Sequence, residues 1–564
     1  MATKSYWQQF QRQRIPRRRL LAGAGMGAAG LAVFAACNDD KKKTTGGATP
    51  GASDGTPKAG GTYRTAITGD WGTINPLTSV SFGPGILAKM YNALVVQSTR
   101  QPDVFYFELA SEYEQPDDVT YVFTLRPGVK IAPNTLGIPE RDLDSSDCVA
   151  WLDAIRAAAT AVAKRFTDQW LDVYSAASPT EFTIKTKGPY AYFFFTLNTP
   201  VGGTMPPKEM LEMDMAAKGA GAGAFVLQPD SFAETGGAIL DRNVNFYRKD
   251  ENNNNAQLPY IDRLEVSRIT DRQPRRTAFV DGQIDSYDPE TLAEVEELQN
   301  QISGLQVFED PAFTFIALTL NPTKPPWDND KVRRAASLAL NRQQYVDVIV
   351  AGAGKPNGLV HWPLEAYALS PEELAELQPY DPEEAKRLIQ EAGFDLPLEV
   401  KFIYPANSDI EFHNKHLPIW LQQMEAGGFK VQEDPQEFTN WLQNYTDVNY
   451  DASFSLNQIY ETPEIPVDFH LSEGPTSDGN FAIGIGKLFP EVDEAIQASK
   501  SSVNPEEQVE LVKDVQRLIY SKEPAFLPIM SWTDFTVRPA YAKNWPRGLG
   551  GALELYFNDM WLDI

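Results

Sequence analysis

Two cysteines, Cys37 and Cys148, and four histidines, His361, His413, His416 and His470, are all that this 564-residue chain offers to thiol and imidazole chemistry. Two thiols cannot build a disulfide framework or a thiolate metal site, and four scattered imidazoles make no evident site for nickel or another metal. His413 and His416 lie three apart in an expected helix and could share an ion, but no further ligand is near in sequence, so a surface position is expected. Cys148 falls in the first turn of an expected helix and continues the apolar side of Val149 and Trp151. Core packing is therefore expected rather than a reactive thiol. Glu383 and Glu384 open a helix after Asp381 and Pro382, and helix-start electrostatics account for them before a glycosidase acid pair does. From residue 59 on there is no Gly-x-Ser-x-Gly elbow and no His-Glu-x-x-His. With 76 acidic residues in the chain, a hydrolytic carboxylate pair has no specific support but stays open as an alternative.

Composition places these groups in a large folded chain. Apolar residues make up 42% and charged residues 22%, too apolar for disorder and too long for one core, so several packed lobes are expected. The formal charge is -26, and without residues 1–36, which carry six basic residues and no acid, it becomes -32. A chain this acidic does not attract phosphate backbones, so nucleic acid is not an expected partner.

The basic and apolar stretch RRRLLAGAGMGAAGLAVFAA, residues 17–36, reads as the end of an export signal over residues 1–36, too short and too rich in Gly and Ala for a permanent span. Arg17 and Arg18 resemble a twin-arginine signal, though the ordinary secretory route also fits. Phe34-Ala35-Ala36-Cys37 resembles a bacterial lipobox, which implies lipidation of Cys37. Residues 37–58, rich in Gly, Thr, Lys and Asp, read as a disordered tether, and the body after it as extracytoplasmic.

Strand and helix patterns alternate through that body. Tyr121–Leu125, Leu264–Ile269 and Phe313–Leu320 read as strands, and helices are expected from Ser145 to about Trp170 and from Asp328 to about Val350. Asp381-Pro382-Glu383-Glu384 reads as a capping-box start with Gly393 as the stop, and Asn504-Pro505-Glu506-Glu507 repeats that grammar. The expected class is α/β, with no internal repeat.

In order along the chain, AGGTYRTAITGDWGTINPLTS, YNALVV, TYVFTLRPGVKIAPNT with DSSDCVAWL, DRNVNFYR, LPYIDRLEVSRITD, FVDGQIDSYD, LNPTKPPWDNDKVRRAASLALNRQQYV, YDPEEAKRLIQEAGF and the ending AYAKNWPRGLGGALELYFNDMWLD resemble the extracellular solute-binding proteins of family 5. The resemblance runs from about residue 59 to 564. It implies a type II periplasmic-binding-protein-like fold of two main lobes with a hinge and an extra subdomain: lobe I from 59–96, 197–285 and 528–564, lobe II from 97–196, and lobe III from 286–527. GAGAFVL, from Gly221, holds Ala222 and Ala224 where the family usually has Thr and Pro.

The resemblance further implies a monomeric receptor without enzymatic activity or cofactor. It would hold a peptide or peptide-like solute between its lobes and deliver it to an ATP-binding-cassette permease, touching the membrane only through its lipid, at the outer face of the cytoplasmic membrane or in the periplasmic space. An oligosaccharide-binding member, a secreted hydrolase and a surface sensor or scaffold are the alternatives. Peptide-binding members anchor the ligand's ammonium with an aspartate, and that position here is Ile459; Glu461 supplies the charge instead, or the ligand has no ammonium. The flanking Asn457, Gln458 and Tyr460 are candidate ligand contacts. Phe82 and Trp532 fall where the family lines its cleft, and with Trp71 and Trp441 they offer stacking surfaces for sugar rings or apolar side chains. Core burial is the ordinary fate of such aromatics.

Overall fold

The computed structural model describes residues 55–68, 73–78, 83–97, 105–158, 167, 170–197, 204–232, 236–250, 253–406, 411–458, 463–472, 484–544 and 558–564. The expected leader, Cys37 and nearly all of the tether lie outside the described residues, as do Trp71, Phe82, Ile459, Tyr460 and Glu461.

Alternating side chains build three large cores, with smaller apolar clusters beside them. In the first, Thr62–Ile67 pairs in parallel with Arg263–Arg268, and Ala238–Arg242 and Phe225–Leu227 continue the sheet antiparallel. Tyr63, Leu240, Leu264 and Val266 point inward, and Met560, Trp561 and Leu562 from the far end of the chain close the same cluster. Gly223 shows how tightly the neighbouring turn is drawn in. Its N–H donates to the Met90 carbonyl at 2.9 Å, and an added Cβ would lie 2.4 Å from the Lys89 carbonyl oxygen.

The second core lies under the antiparallel sheet Ala110–Asp117, Thr120–Leu125, Glu181–Thr186 and Leu171–Ser178, in that spatial order. Helix Ser145–Ala157 packs Cys148, Trp151, Leu152 and Ile155 against it. Asp144 and Asp147 form a reciprocal capping box at its start, which satisfies N–H groups that a helix leaves unpaired. The apolar cluster of this unit runs from Leu94 to Ala222.

The third and largest core surrounds a six-stranded mixed sheet in the order Gly354–Pro356, Phe526–Arg538, Gln306–Leu320, Ala452–Gln458, Leu398–Pro405 and Phe429–Gln436. Its helices depart from the expected limits for local reasons. The helix expected over 328–350 is two, Asp330–Leu338 and Arg342–Ile349, because the Asn341 side chain accepts the Gln344 N–H at 3.1 Å and starts the second. The helix expected to reach Trp170 ends at Ala157. Asp381 caps Pro382–Glu391 by accepting the Glu384 N–H at 2.9 Å, but the Glu384 carboxylate pairs with Arg387 instead of returning to the cap. Asn504 caps Pro505–Ser521 as its sequence suggests. His416 corrects the expected surface position: it is fully buried, its ring stacked on Tyr345 at 5.7 Å, because the helix Glu411–Ala426 turns that side inward.

Candidate functional site

Two long antiparallel strands, Gln306–Leu320 and Phe526–Arg538, run from a smaller apolar cluster beside the first core into the third core. At one end Val307 and Val537 pack with Ala66 and Tyr287, Val537 exchanges backbone hydrogen bonds with Tyr287 at 2.8 and 3.1 Å, and the buried Arg538 donates to the Tyr63 hydroxyl. At the other end Ile316, Leu318, Leu320, Leu527, Ile529 and Met530 lie in the third core.

Between the two ends the ladder breaks. Asp310 pairs with Asp534 and Pro311 with Thr533, but the next pair is Phe315 with Ser531, so three residues on one strand face Trp532 alone on the other. Pro311 has no N–H to give, and a bulge of this kind bends and loosens a sheet locally.

Residues of mixed chemistry gather at this break. Trp532 is partly exposed, packs its ring on the third core and donates its indole N–H to Asp534 at 2.9 Å. Burial pushes the Asp534 carboxyl up to about 7; the Trp532 hydrogen bond opposes that, and the nearby Asp288 and Asp310 charges add to it. Asp288 accepts the Thr536 hydroxyl at 2.9 Å. Strand Ala452–Gln458 ends at the same place, with Asn457 opposite Phe315 and Gln458 opposite Thr314. Phe315 thus has Asn457 on one side and Ser531, next to Trp532, on the other.

The fold therefore brings Trp532, Asn457 and Gln458 to one region. Trp441 is elsewhere: it is 5% exposed, stacks on Tyr445 at 5.0 Å and donates its N–H to the Ser453 hydroxyl at 3.1 Å. Sequence reading passed over Asp310 and Asp534. Neither sits in a motif, and only the pairing of strands more than two hundred residues apart sets them face to face.

His361 and His470 are buried about Phe315 and Phe526, and burial alone lowers each to about 3, which keeps both neutral. Among the described residues no group of three or more His, Cys, Asp or Glu is placed to hold a metal ion. Cys148 is buried, and burial raises its thiol well above the ordinary range.

The family model described as bacterial extracellular solute-binding proteins, family 5, middle region, matches residues 105–478. The chain belongs to that family. Its relatives include the glutathione-binding protein GsiB of Salmonella paratyphi A, 23% identical over 440 residues that span 75% of this chain and 80% of GsiB. GsiB of Escherichia coli K12 is 25% identical over 57% of this chain and 60% of its own length. Among solved structures, the periplasmic binding protein DppA of Helicobacter pylori in complex with the peptide STSA superposes with a TM-score of 0.75 at 18% identity, over 90% of this chain and 99% of DppA. The dipeptide-binding protein of Pseudoalteromonas sp. SM9913, in complex with Met-Leu, gives 0.72 at 16% identity, over 89% and 100%. The fold of this family 5 protein is the type II periplasmic-binding-protein fold. Family 5 proteins capture peptides or similar solutes outside the cytoplasm for ATP-binding-cassette importers and are not enzymes.

Proposed function

We propose that this protein is the receptor of an importer for a peptide or peptide-like solute, which it holds between lobe I with lobe II on one side and lobe III on the other. The observation that carries this reading is the strand pair Gln306–Leu320 and Phe526–Arg538, anchored in two apolar clusters and broken between them beside Trp532. Lobes joined in this way convert binding into a change of shape, since only a ligand touching both sides favours the shut state. A permease can then distinguish the loaded receptor from the empty one.

The proposed lobe limits are 59–96, 197–285 and 528–564 for lobe I, 97–196 for lobe II and 286–527 for lobe III, with the second core reaching past lobe II to Leu94 and Ala222 and the third taking in Met530. Trp532, Asn457 and Gln458 are proposed ligand contacts, joined by Trp71, Phe82, Ile459, Tyr460 and Glu461; Trp441 is left to its core. The Asp288 and Asp310 charges near the break suit a ligand with a positive group, which favours the peptide reading over a neutral oligosaccharide. The export signal and a lipidated Cys37 would tether a monomeric receptor near its permease and raise its effective concentration there. Among the described residues no helix is long and apolar enough to cross a membrane.

A thermal-shift screen against di- to pentapeptides and, in parallel, α- and β-linked oligosaccharides tests the reading, because a ligand that binds only the folded state raises the melting point. Peptides are expected to give the shift. A shift with sugars alone would replace the peptide reading by the oligosaccharide one, and turnover of a chromogenic glycoside would point to a hydrolase.

A further inference from the structure

Besides the strand pair, a second set of contacts joins separately packed units, and it consists of side chains that a moving lobe could make and break. Tyr190 and Tyr192 belong to the second core, whereas the helices Glu464–Asp468, Pro490–Ser501 and Pro505–Ser521 pack into or beside the third. The Tyr190 hydroxyl donates to the Glu464 carboxylate, with its two oxygens at 2.9 and 3.0 Å. The Ala191 N–H donates to the Lys500 carbonyl at 2.8 Å, and the Gln508 side-chain amide donates to the Tyr192 hydroxyl at 2.5 Å. Behind this seam Lys500 holds Asp468 at 2.7 Å and Glu464 at 3.4 Å. Water is excluded throughout: Tyr190, Tyr192, Glu464, Asp468, Lys500 and Gln508 are all buried.

We propose that Tyr190, Ala191 and Tyr192 form a latch that engages Glu464, Lys500 and Gln508 when lobes II and III come together and releases them when the lobes part. The latch rests on the two-lobe reading of function. On the lobe III side the ionic group Glu464–Lys500–Asp468 is complete without its partner, so it can stand in water when the lobes open. On the lobe II side the Tyr190 ring lies parallel to Trp170 at 5.7 Å, which fixes the hydroxyl before contact and lowers the entropy lost on closing.

Each hydrogen bond exchanges water for protein, so its net gain is small and the latch stays reversible; one bond is worth roughly a fivefold bias toward the shut state. Once the seam is dry, an incomplete latch leaves the buried Gln508 amide without its Tyr192 acceptor, which penalises partial closure. The latch therefore sets how long the shut state lasts, and with it the rate of ligand release.

The test measures lobe separation directly and needs no ligand. In the full chain with Cys37→Ser, spin labels at Tyr106→Cys in lobe II and Leu488→Cys in lobe III, both exposed in the parent, report the distance between the lobes. The same pair is measured with Tyr190→Phe, which removes one hydroxyl, and with Gln508→Leu, which removes the second side-chain bond independently. The expected result is a fall of about fivefold in the ratio of short to long distances for each variant, with an unchanged far-ultraviolet circular dichroism spectrum. A distribution unchanged in both variants overturns the latch, including the case in which every protein shows one distance. Because the labels read lobe motion alone, failure of the peptide screen would sink the ligand assignment while leaving this result standing.

Discussion

Asp310 and Asp534 stand directly opposite each other in the ladder between the strands Gln306–Leu320 and Phe526–Arg538. Like charges in register across a ladder destabilise it, and the Asp534 carboxyl, pushed up to about 7 chiefly by burial, relieves the repulsion by holding a proton. A carboxyl whose folded value lies above its unfolded one contributes stability that is fully present below the unfolded value, near 3.8, and is lost as pH rises through about 7. Asp534→Asn is therefore expected to be more stable than the parent at pH 8, by about 1–3 kcal/mol after allowance for partial exposure, and no more stable at pH 4. Urea denaturation at both values checks it; an equal difference at the two would refute the assignment.

Trp532, the proposed ligand contact, and Trp441, a core residue, are expected to respond differently to replacement. Trp532→Ala is expected to weaken ligand binding by on the order of tenfold and to abolish much of the ligand-induced fluorescence change, with a small effect on stability. Trp441→Phe removes the hydrogen bond to Ser453 and is expected to cost about 1 kcal/mol of stability. Titration calorimetry alongside thermal unfolding of both variants decides it. The role of Trp532 fails if its replacement leaves both affinity and fluorescence change untouched.

Gly223 admits no side chain. An alanine there would place its Cβ within 2.4–2.7 Å of three backbone atoms of Lys89 and Met90, none of which can swing aside. Gly223→Ala is expected to destabilise the protein by more than about 2 kcal/mol, from overpacking against a rigid neighbour. The midpoint of urea unfolding gives the number, and a midpoint at the parent value would show that the turn yields.

Cys148 is expected to be inert in the folded state. Its sulfur lies 3.9 Å from the Asp144 carbonyl, and both burial and the nearby Asp147 and Asp144 charges hold the thiol protonated. In a Cys37→Ser chain, a disulfide reagent should therefore react only after denaturant is added. Prompt reaction of the folded protein would contradict the burial.

Local chemistry was written in the sequence wherever neighbours in the chain determine it. The caps at Asp381 and Asn504, the strand over Tyr121–Leu125 and the apolar side that carries Cys148, Val149 and Trp151 all follow from side chains within a turn or two of one another. The ordered phrases from Ala59 to Asp563 were enough to indicate the family, because each is a local solution to a turn or a helix start.

Tertiary structure decided everything that depends on which distant segments meet. The burial of His416, the opposition of Asp310 and Asp534, the seating of Trp441 in a core and of Trp532 at a break, and the contact of Tyr190 with Glu464 join residues up to 274 positions apart, and nothing in either partner's own neighbourhood encodes the other. Periodicity specifies which face of an element is apolar; the opposing surface is chosen by packing and register over the whole chain. The sequence by itself thus determined the kind of protein this is, and only the assembled fold decided where its two halves touch and bend.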